Sequence, residues 1–146
     1  MRILGVDYGE KRIGLAISDP LGMFGQPLET VESGAAPPVD RIAEICKERG
    51  VETIVVGLPR NMDGTLGPKA AEASAFADAL AGKTGLNVVL QDERLSTARA
   101  ERSLRETDMS RRKRKARVDA VAAQVILQTY LDTRSKRPPE NRPGNS

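Results

Sequence analysis

The 146-residue sequence contains no histidine, no tryptophan and a single cysteine, Cys46. These absences exclude an internal disulfide framework, a Cys/His zinc site and any Ser-His-Asp or Cys-His catalytic unit. Acid–base or metal chemistry must therefore rest on Asp and Glu. Aromatic residues are scarce as well: Tyr8, Phe24, Phe76 and Tyr130 are all there are. Four scattered rings make no stacking platform of the kind single-strand readers use, so contact with a phosphate backbone or with duplex shape is the better fit for any nucleic-acid partner. No apolar run approaches the roughly 18 residues that span a bilayer, which argues against an integral membrane protein. The opening Met-Arg-Ile-Leu-Gly-Val-Asp meets an acid too early for a signal peptide.

What is present is an ordinary globular mixture, 39% hydrophobic and 29% charged. The length suits one domain with a core of its own. The net charge of +3 conceals an asymmetry. Residues 1–98 carry 10 basic and 14 acidic side chains, a balance of −4, whereas 99–146 carry 13 basic and 6 acidic, a balance of +7. A basic C-terminal third on a mildly acidic body points to a polyanion, and nucleic acid is the commonest one.

Apolar stretches at 2–8 and 12–18, separated by Gly9-Glu10-Lys11, read as an antiparallel hairpin. Residues 26–32 alternate as a third strand, and Pro27 places it at an edge. Pro38 opens a helix to about Arg49, with Val39, Ile42, Ala43 and Cys46 on its inner face and Gly50 as the stop. Cys46 is thereby a core residue and not a nucleophile. Residues 51–57 read as a buried strand, Pro68 to about Gly82 as a helix carrying Phe76 and Leu80, and 86–91 as a fifth strand. A helix is expected over about 98–106, then a basic connection from Thr107 to Arg117. A last helix follows from Val118 to Asp132, with Val118, Val121, Ala122, Val125, Ile126 and Thr129 facing inward. From Thr133 the polar, proline-bearing residues 133–146 read as a disordered tail beyond a domain of residues 1–132. The order predicts an α/β fold: a mixed five-stranded sheet, three antiparallel strands then two parallel ones, with helices on both faces. Ligands on such a sheet sit beyond the carboxyl ends of the parallel strands.

Three acids fall where that rule points. Asp7 lies in the first strand between Val6 and Tyr8, where a casual carboxylate is costly. Glu93 follows the fifth strand, and alternation sends its neighbour Asp92 to the opposite face. Asp119 borders the buried face of the last helix, although taken alone it reads more simply as an N-terminal acid favourable to the helix dipole. Three carboxylates make a hard-oxygen site suited to one or two Mg²⁺ or Mn²⁺ ions that activate water against a phosphodiester. Beside Asp119, the run Arg111-Arg112-Lys113-Arg114-Lys115-Ala116-Arg117 has six basic residues in seven. Self-repelling charges beside a candidate acid site favour a phosphate backbone as their counterion. Lys11, Arg12 and Arg94 flank the acids and are further candidate contacts to nucleic acid.

The segments Gly5 to Asp19, Val56 to Thr65 with Gly67-Pro68, Asp92-Glu-Arg-Leu-Ser-Thr97, and Ser110 to Ala123 resemble, in order, the motifs of the YqgF (RuvX) family. The resemblance covers about residues 1–132. It implies an RNase H-like fold related to the RuvC resolvases and a cytoplasmic, bacterial nuclease that matures the 5′ end of pre-16S ribosomal RNA, some members being described as Holliday-junction resolvases. Carried over position by position, it assigns the family's acids to Asp7, Glu93 and Asp119. The fourth strand ends Gly57-Leu58-Pro59, without the acid that many RNase H-like relatives place there, so Glu93 takes that role. The expected partner is nucleic acid, precursor rRNA or branched DNA, with no membrane and either a monomer or a homodimer. An actin-like ATPase, whose phosphate loop the stretch Gly5-Val-Asp-Tyr-Gly also resembles, would need a second domain for which 146 residues leave no room. A non-catalytic RNA-binding module of the same fold would have no need of the acid trio.

Overall fold

The computed structural model describes residues 2–9, 11–32, 37–59, 67–92 and 111–136, the side chains of 111–119 and 134–136 excepted. The expected helix over 98–106 and the residues 137–146 of the expected tail lie outside the described residues.

Three strands, β1 (Arg2–Asp7), β2 (Arg12–Ser18) and β3 (Gly25–Glu32), form an antiparallel meander. Helix α1 (Pro38–Arg49) crosses to β4 (Val51–Leu58), which pairs parallel with β1. Helix α2 (Pro68–Thr84) crosses to β5 (Asn87–Asp92), parallel to β4. The sheet order is β3-β2-β1-β4-β5, the mixed sheet expected from the sequence. Pro27 lies on the edge strand β3, where its missing N–H breaks no inner ladder, and the β2–β3 register shifts beside it. Each crossover helix begins with proline in its first turn and ends on a left-handed glycine, Gly50 at φ 67° and Gly85 at φ 71°. That conformation is strained for any residue with a Cβ.

Alternation along the strands sorts the apolar residues into two cores. Leu4, Val6, Ile13, Leu15, Ile54 and Val56 face α1 and α2, meeting Ile42, Ile45, Cys46, Ala77 and Leu80. Ile3, Ala16 and Val55 face the last helix, α3 (Arg111–Lys136), meeting Ala123, Ile126, Leu127, Tyr130 and Leu131. Cys46 is 5% exposed. Burial pushes its thiol up to about 11, so it stays protonated and packs as a small apolar residue. On α1, Ile45 is fully packed while Ala43 is only partly buried.

Helix α3 departs from the sequence reading in two ways. It starts at Arg111, so the basic run is not a connection but the helix's first two turns. It continues to Lys136, four residues into the segment read as a tail. Arg, Lys and Ala are strong helix formers, and no Gly or Pro interrupts the chain between 111 and 136; the first proline beyond is Pro138. Its inner face is also rotated. Ala120, Ala122, Ala123, Ile126, Leu127, Tyr130 and Leu131 are buried, whereas Val121, Val125 and Thr129 are only partly so, and the side chain of Val118 lies outside the described residues. The cause lies on the sheet. Gly5, Ala16 and Gly25 leave a shallow trough on that face, and the small Ala123 and the long Leu127 fill it better than a row of β-branched valines.

Candidate active site

Asp7 is the last residue of β1 and is partly exposed. It therefore sits at the rim of the core and not in mid-strand, where the sequence reading put it, and water there lowers the cost of its charge. The flanking residues aim it. Val6 is fully buried on the α1/α2 side, and Tyr8 packs against that same core. The Tyr8 ring meets Phe76 of α2 at a centroid separation of 4.8 Å and a tilt of 39°, a favourable offset geometry. With Val6 and Tyr8 committed to one face, period-two alternation turns Asp7 to the face of Ile3 and Gly5, the one that α3 covers. Neither Tyr8 nor Phe76 was singled out as a positioning pair from the sequence, because their meeting joins two distant segments.

Helix α3 crosses the same face of the sheet. Gln128 accepts a hydrogen bond from the N–H of Gly25. Gly25 pairs with Ser18, whose hydroxyl accepts from the N–H of Ile3; this row is the amino end of β1. The Ala123 carbonyl and the Leu127 Cβ lie over Gly5, and Gln124 joins Gln128 on Gly25. The span 123–128 of the helix thus bridges Gly25 of β3 and Gly5 of β1. Position 119 precedes Ala123 by one turn, about 6 Å of helix, while Asp7 lies two residues beyond Gly5, about 6.6 Å of strand. Position 119 also continues the stripe of 123, 126 and 130, closer to the sheet-facing centre of the helix than the sequence reading placed it. The side chain of Asp119 itself lies outside the described residues.

At β5, Val89 faces the α3 core and Val88 the α1/α2 core. Alternation then puts Asp92, an exposed strand end, on the side away from Asp7. Glu93 and Arg94 lie outside the described residues. Lys11 and Arg12 fall in the β1–β2 turn and at the start of β2, at the same end of the sheet as Asp7, which pairs with Gly14. Lys11 is exposed and Arg12 partly so. The backbone of Arg111, Arg112, Lys113, Arg114, Lys115 and Arg117 forms the opening turns of α3; their side chains are outside the description.

The candidate donors are all carboxylates, which fits a hard divalent cation and not a soft one. Among the described residues, no group of three Asp, Glu or Cys is close enough to hold a metal, since only Asp7 of the trio has a described side chain. Among them also, no helix is long and apolar enough to cross a membrane.

A model of the RuvX family, described as "Holliday junction resolvase", matches residues 1–133. A Listeria innocua protein named "Putative pre-16S rRNA nuclease" is 52% identical over 136 residues, covering 91% of this chain and 99% of its own. A protein of the same name from Symbiobacterium thermophilum is 51% identical over 142 residues, 97% of this chain and 99% of its own. Among solved structures, Thermus thermophilus RuvC in complex with a Holliday junction substrate is similar with a TM-score of 0.55 at 18% identity, over 93% of this chain and 96% of that one. That likeness shows the fold, RNase H-like, with the sheet order and helix layers described above. Matched by the family model over nearly its whole length, and half identical to relatives along almost all of theirs, the chain belongs to the RuvX family.

Proposed function

We propose that this protein is a metal-dependent endonuclease that hydrolyses phosphodiester bonds of structured nucleic acid, and that its substrate is the 5′ region of precursor 16S rRNA. The observation that carries the reading is Asp7. It ends β1 on the face covered by α3, at the carboxyl end of the parallel strands where ligands of such sheets bind. Asp119, one turn before Ala123, and Glu93, past the end of β5, complete the acid site. Near-full-length relatives named as rRNA nucleases favour the RNA substrate.

In this reading the carboxylates of Asp7, Glu93 and Asp119 hold one or two Mg²⁺ or Mn²⁺ ions. When bound, such ions activate water and offset the charge that develops on the phosphate. The protein's own contribution is placement. The Tyr8–Phe76 contact fixes the strand end that bears Asp7. The opening turns of α3 carry Arg111, Arg112, Lys113, Arg114, Lys115 and Arg117, and cationic residues in such a run attract a phosphate backbone. Lys11, Arg12 and Arg94 extend that basic surface. These contacts read backbone and shape, not bases.

The test is cleavage of precursor rRNA and of four-way junction DNA side by side, with and without Mg²⁺ or Mn²⁺, for the wild type and Asp7→Asn. Metal-dependent cleavage of the RNA, lost in Asp7→Asn while affinity for the RNA persists, is expected. Full activity of Asp7→Asn in a preparation free of contaminating nuclease overturns the metal site. The family description favours a second reading, resolution of DNA junctions. Paired cuts in two strands need a symmetric dimer, so cleavage of the junction by a dimer, with the RNA left intact, would put that reading first.

A further inference from the structure

The trough under α3 combines apolar seating with polar contacts. Small residues, Gly5, Ala16 and Gly25 on the sheet and Ala123 on the helix, receive Leu127. That apolar contact is non-directional, and directional contacts join it in defining where along the sheet α3 stops.

The directional contacts are two glutamines one turn apart on α3. The N–H of Gly25 donates to Gln128 Oε1 at 2.8 Å, and Gln124 Nε2 donates to the carbonyl of Gly25 at 2.9 Å. Both backbone groups of one strand residue are thus engaged by one helix, across about a hundred residues of sequence. Gln128 Nε2 also donates to the Met23 carbonyl and to Asp132 Oδ1, each at 3.0 Å. The sheet side of this clamp is itself braced. Asp19 accepts from the N–H groups of Met23 and Phe24 at 2.7 and 3.2 Å, and its own N–H donates to the Phe24 carbonyl at 3.0 Å. A slide by one helical turn, about 5.4 Å, would carry these hydrogen bonds past any useful length.

We propose that Gln124 and Gln128 are positioning residues for the carboxylate site. By fixing α3 in axial register on Gly25, they set the separation between position 119 and Asp7. An α-helix transmits an axial shift with little loss, and the clamp lies five residues, about 7.5 Å, from position 119. The inference rests on the proposed acid trio. In the register that the clamp defines, the backbone at position 119 is held at a fixed separation from Asp7, so the cation binds without moving the helix. Without it the cation must draw the helix into place, which lowers affinity yet leaves the loaded site competent.

The experiment measures Mn²⁺ binding directly, from the electron paramagnetic resonance signal of the free ion, for the full chain. The wild type, Asp7→Asn, Gln124→Met, Gln128→Leu, Gln128→Glu with and without Asp132→Asn, and the double variant Gln124→Met/Gln128→Leu are compared. Melting temperature and amide exchange at Gly25 are followed alongside. The double variant is expected to bind Mn²⁺ about tenfold more weakly, the scale of lost supporting contacts around metal ligands. Exchange at Gly25 should accelerate, and cleavage at saturating Mn²⁺ should stay close to wild type. Gln128→Glu keeps the acceptor for the Gly25 N–H but sets a carboxylate against Asp132, so it should recover part of the affinity lost in Gln128→Leu only once Asp132→Asn removes the facing charge. Wild-type Mn²⁺ affinity in a double variant that melts lower overturns the proposal, leaving the glutamines as fold contacts only. If the double variant does not fold, Gln124→Met decides by the same criterion. If the wild type binds no Mn²⁺, or Asp7→Asn binds it as the wild type does, the acid trio falls and this inference with it.

Discussion

Leu127 of α3 rests on Gly5 of β1: a Cβ added at Gly5 would stand 2.8 Å from the Leu127 Cβ and 2.9 Å from the Ala123 carbonyl oxygen. Neither neighbour is the flexible end of a side chain. The absence of a side chain at position 5 therefore sets how closely the last helix lies on the sheet.

Gly5→Ala should lift α3 from the trough and destabilise the protein by about 1–3 kcal/mol, the usual range for overpacking. Thermal or urea unfolding measures this. A variant as stable as the wild type would mean that the helix accommodates the methyl group by a small rotation.

Tyr130 is 2% exposed, and its hydroxyl has no hydrogen-bond partner among the described residues. A buried hydroxyl left unpaired costs about 1–3 kcal/mol. Tyr130→Phe keeps the ring and removes that cost, so its unfolding midpoint in urea should rise. A fall would reveal a partner for the hydroxyl.

The Asp19 carboxylate is held below its ordinary value of 3.8, first by the N–H of Met23 and then by that of Phe24. A lowered folded value means that the contribution of this turn is complete above the unfolded value near 3.8 and is lost as the pH falls through the lower, folded one. In an NMR titration, the Met23 and Phe24 amides should respond with a midpoint below 3.8. A midpoint at or above that value would refute the capping role. Asp19→Ala should abolish the response altogether.

Replacing Arg112, Lys113, Arg114 and Lys115 by Ala should weaken binding across unrelated nucleic-acid sequences. It should also flatten the slope of log K against log salt, by up to about 0.9 per lost phosphate contact on duplex DNA. The same change removes like charges from the start of a helix, where they oppose the dipole, so stability should not fall. An unchanged salt slope would make the run a solvated face.

The architecture was legible in the sequence because it depends on local periodicity and punctuation. Apolar stretches around a short turn marked β1 and β2, alternation marked β3, prolines opened α1 and α2, Gly50 closed α1, and helical crossovers made β4 and β5 parallel to β1. For the candidate site the sequence nominates three carboxylates, Asp7, Glu93 and Asp119, because the chain has no histidine; of these only Asp7 has a described side chain, at the end of β1. Tertiary structure decided what periodicity leaves open. Val118, Val121, Ala122, Val125, Ile126 and Thr129 make a plausible inner face on a helical wheel. The structure keeps Ala122 and Ile126 of that set buried, and the trough of Gly5, Ala16 and Gly25 brings in Ala123, Leu127 and Tyr130. The pairing of Tyr8 with Phe76 and the clamp of Gln124 and Gln128 on Gly25 likewise join segments about 70 to 100 residues apart. A linear pattern reports which residues prefer burial, but the surface that receives them exists only once the distant strands have assembled.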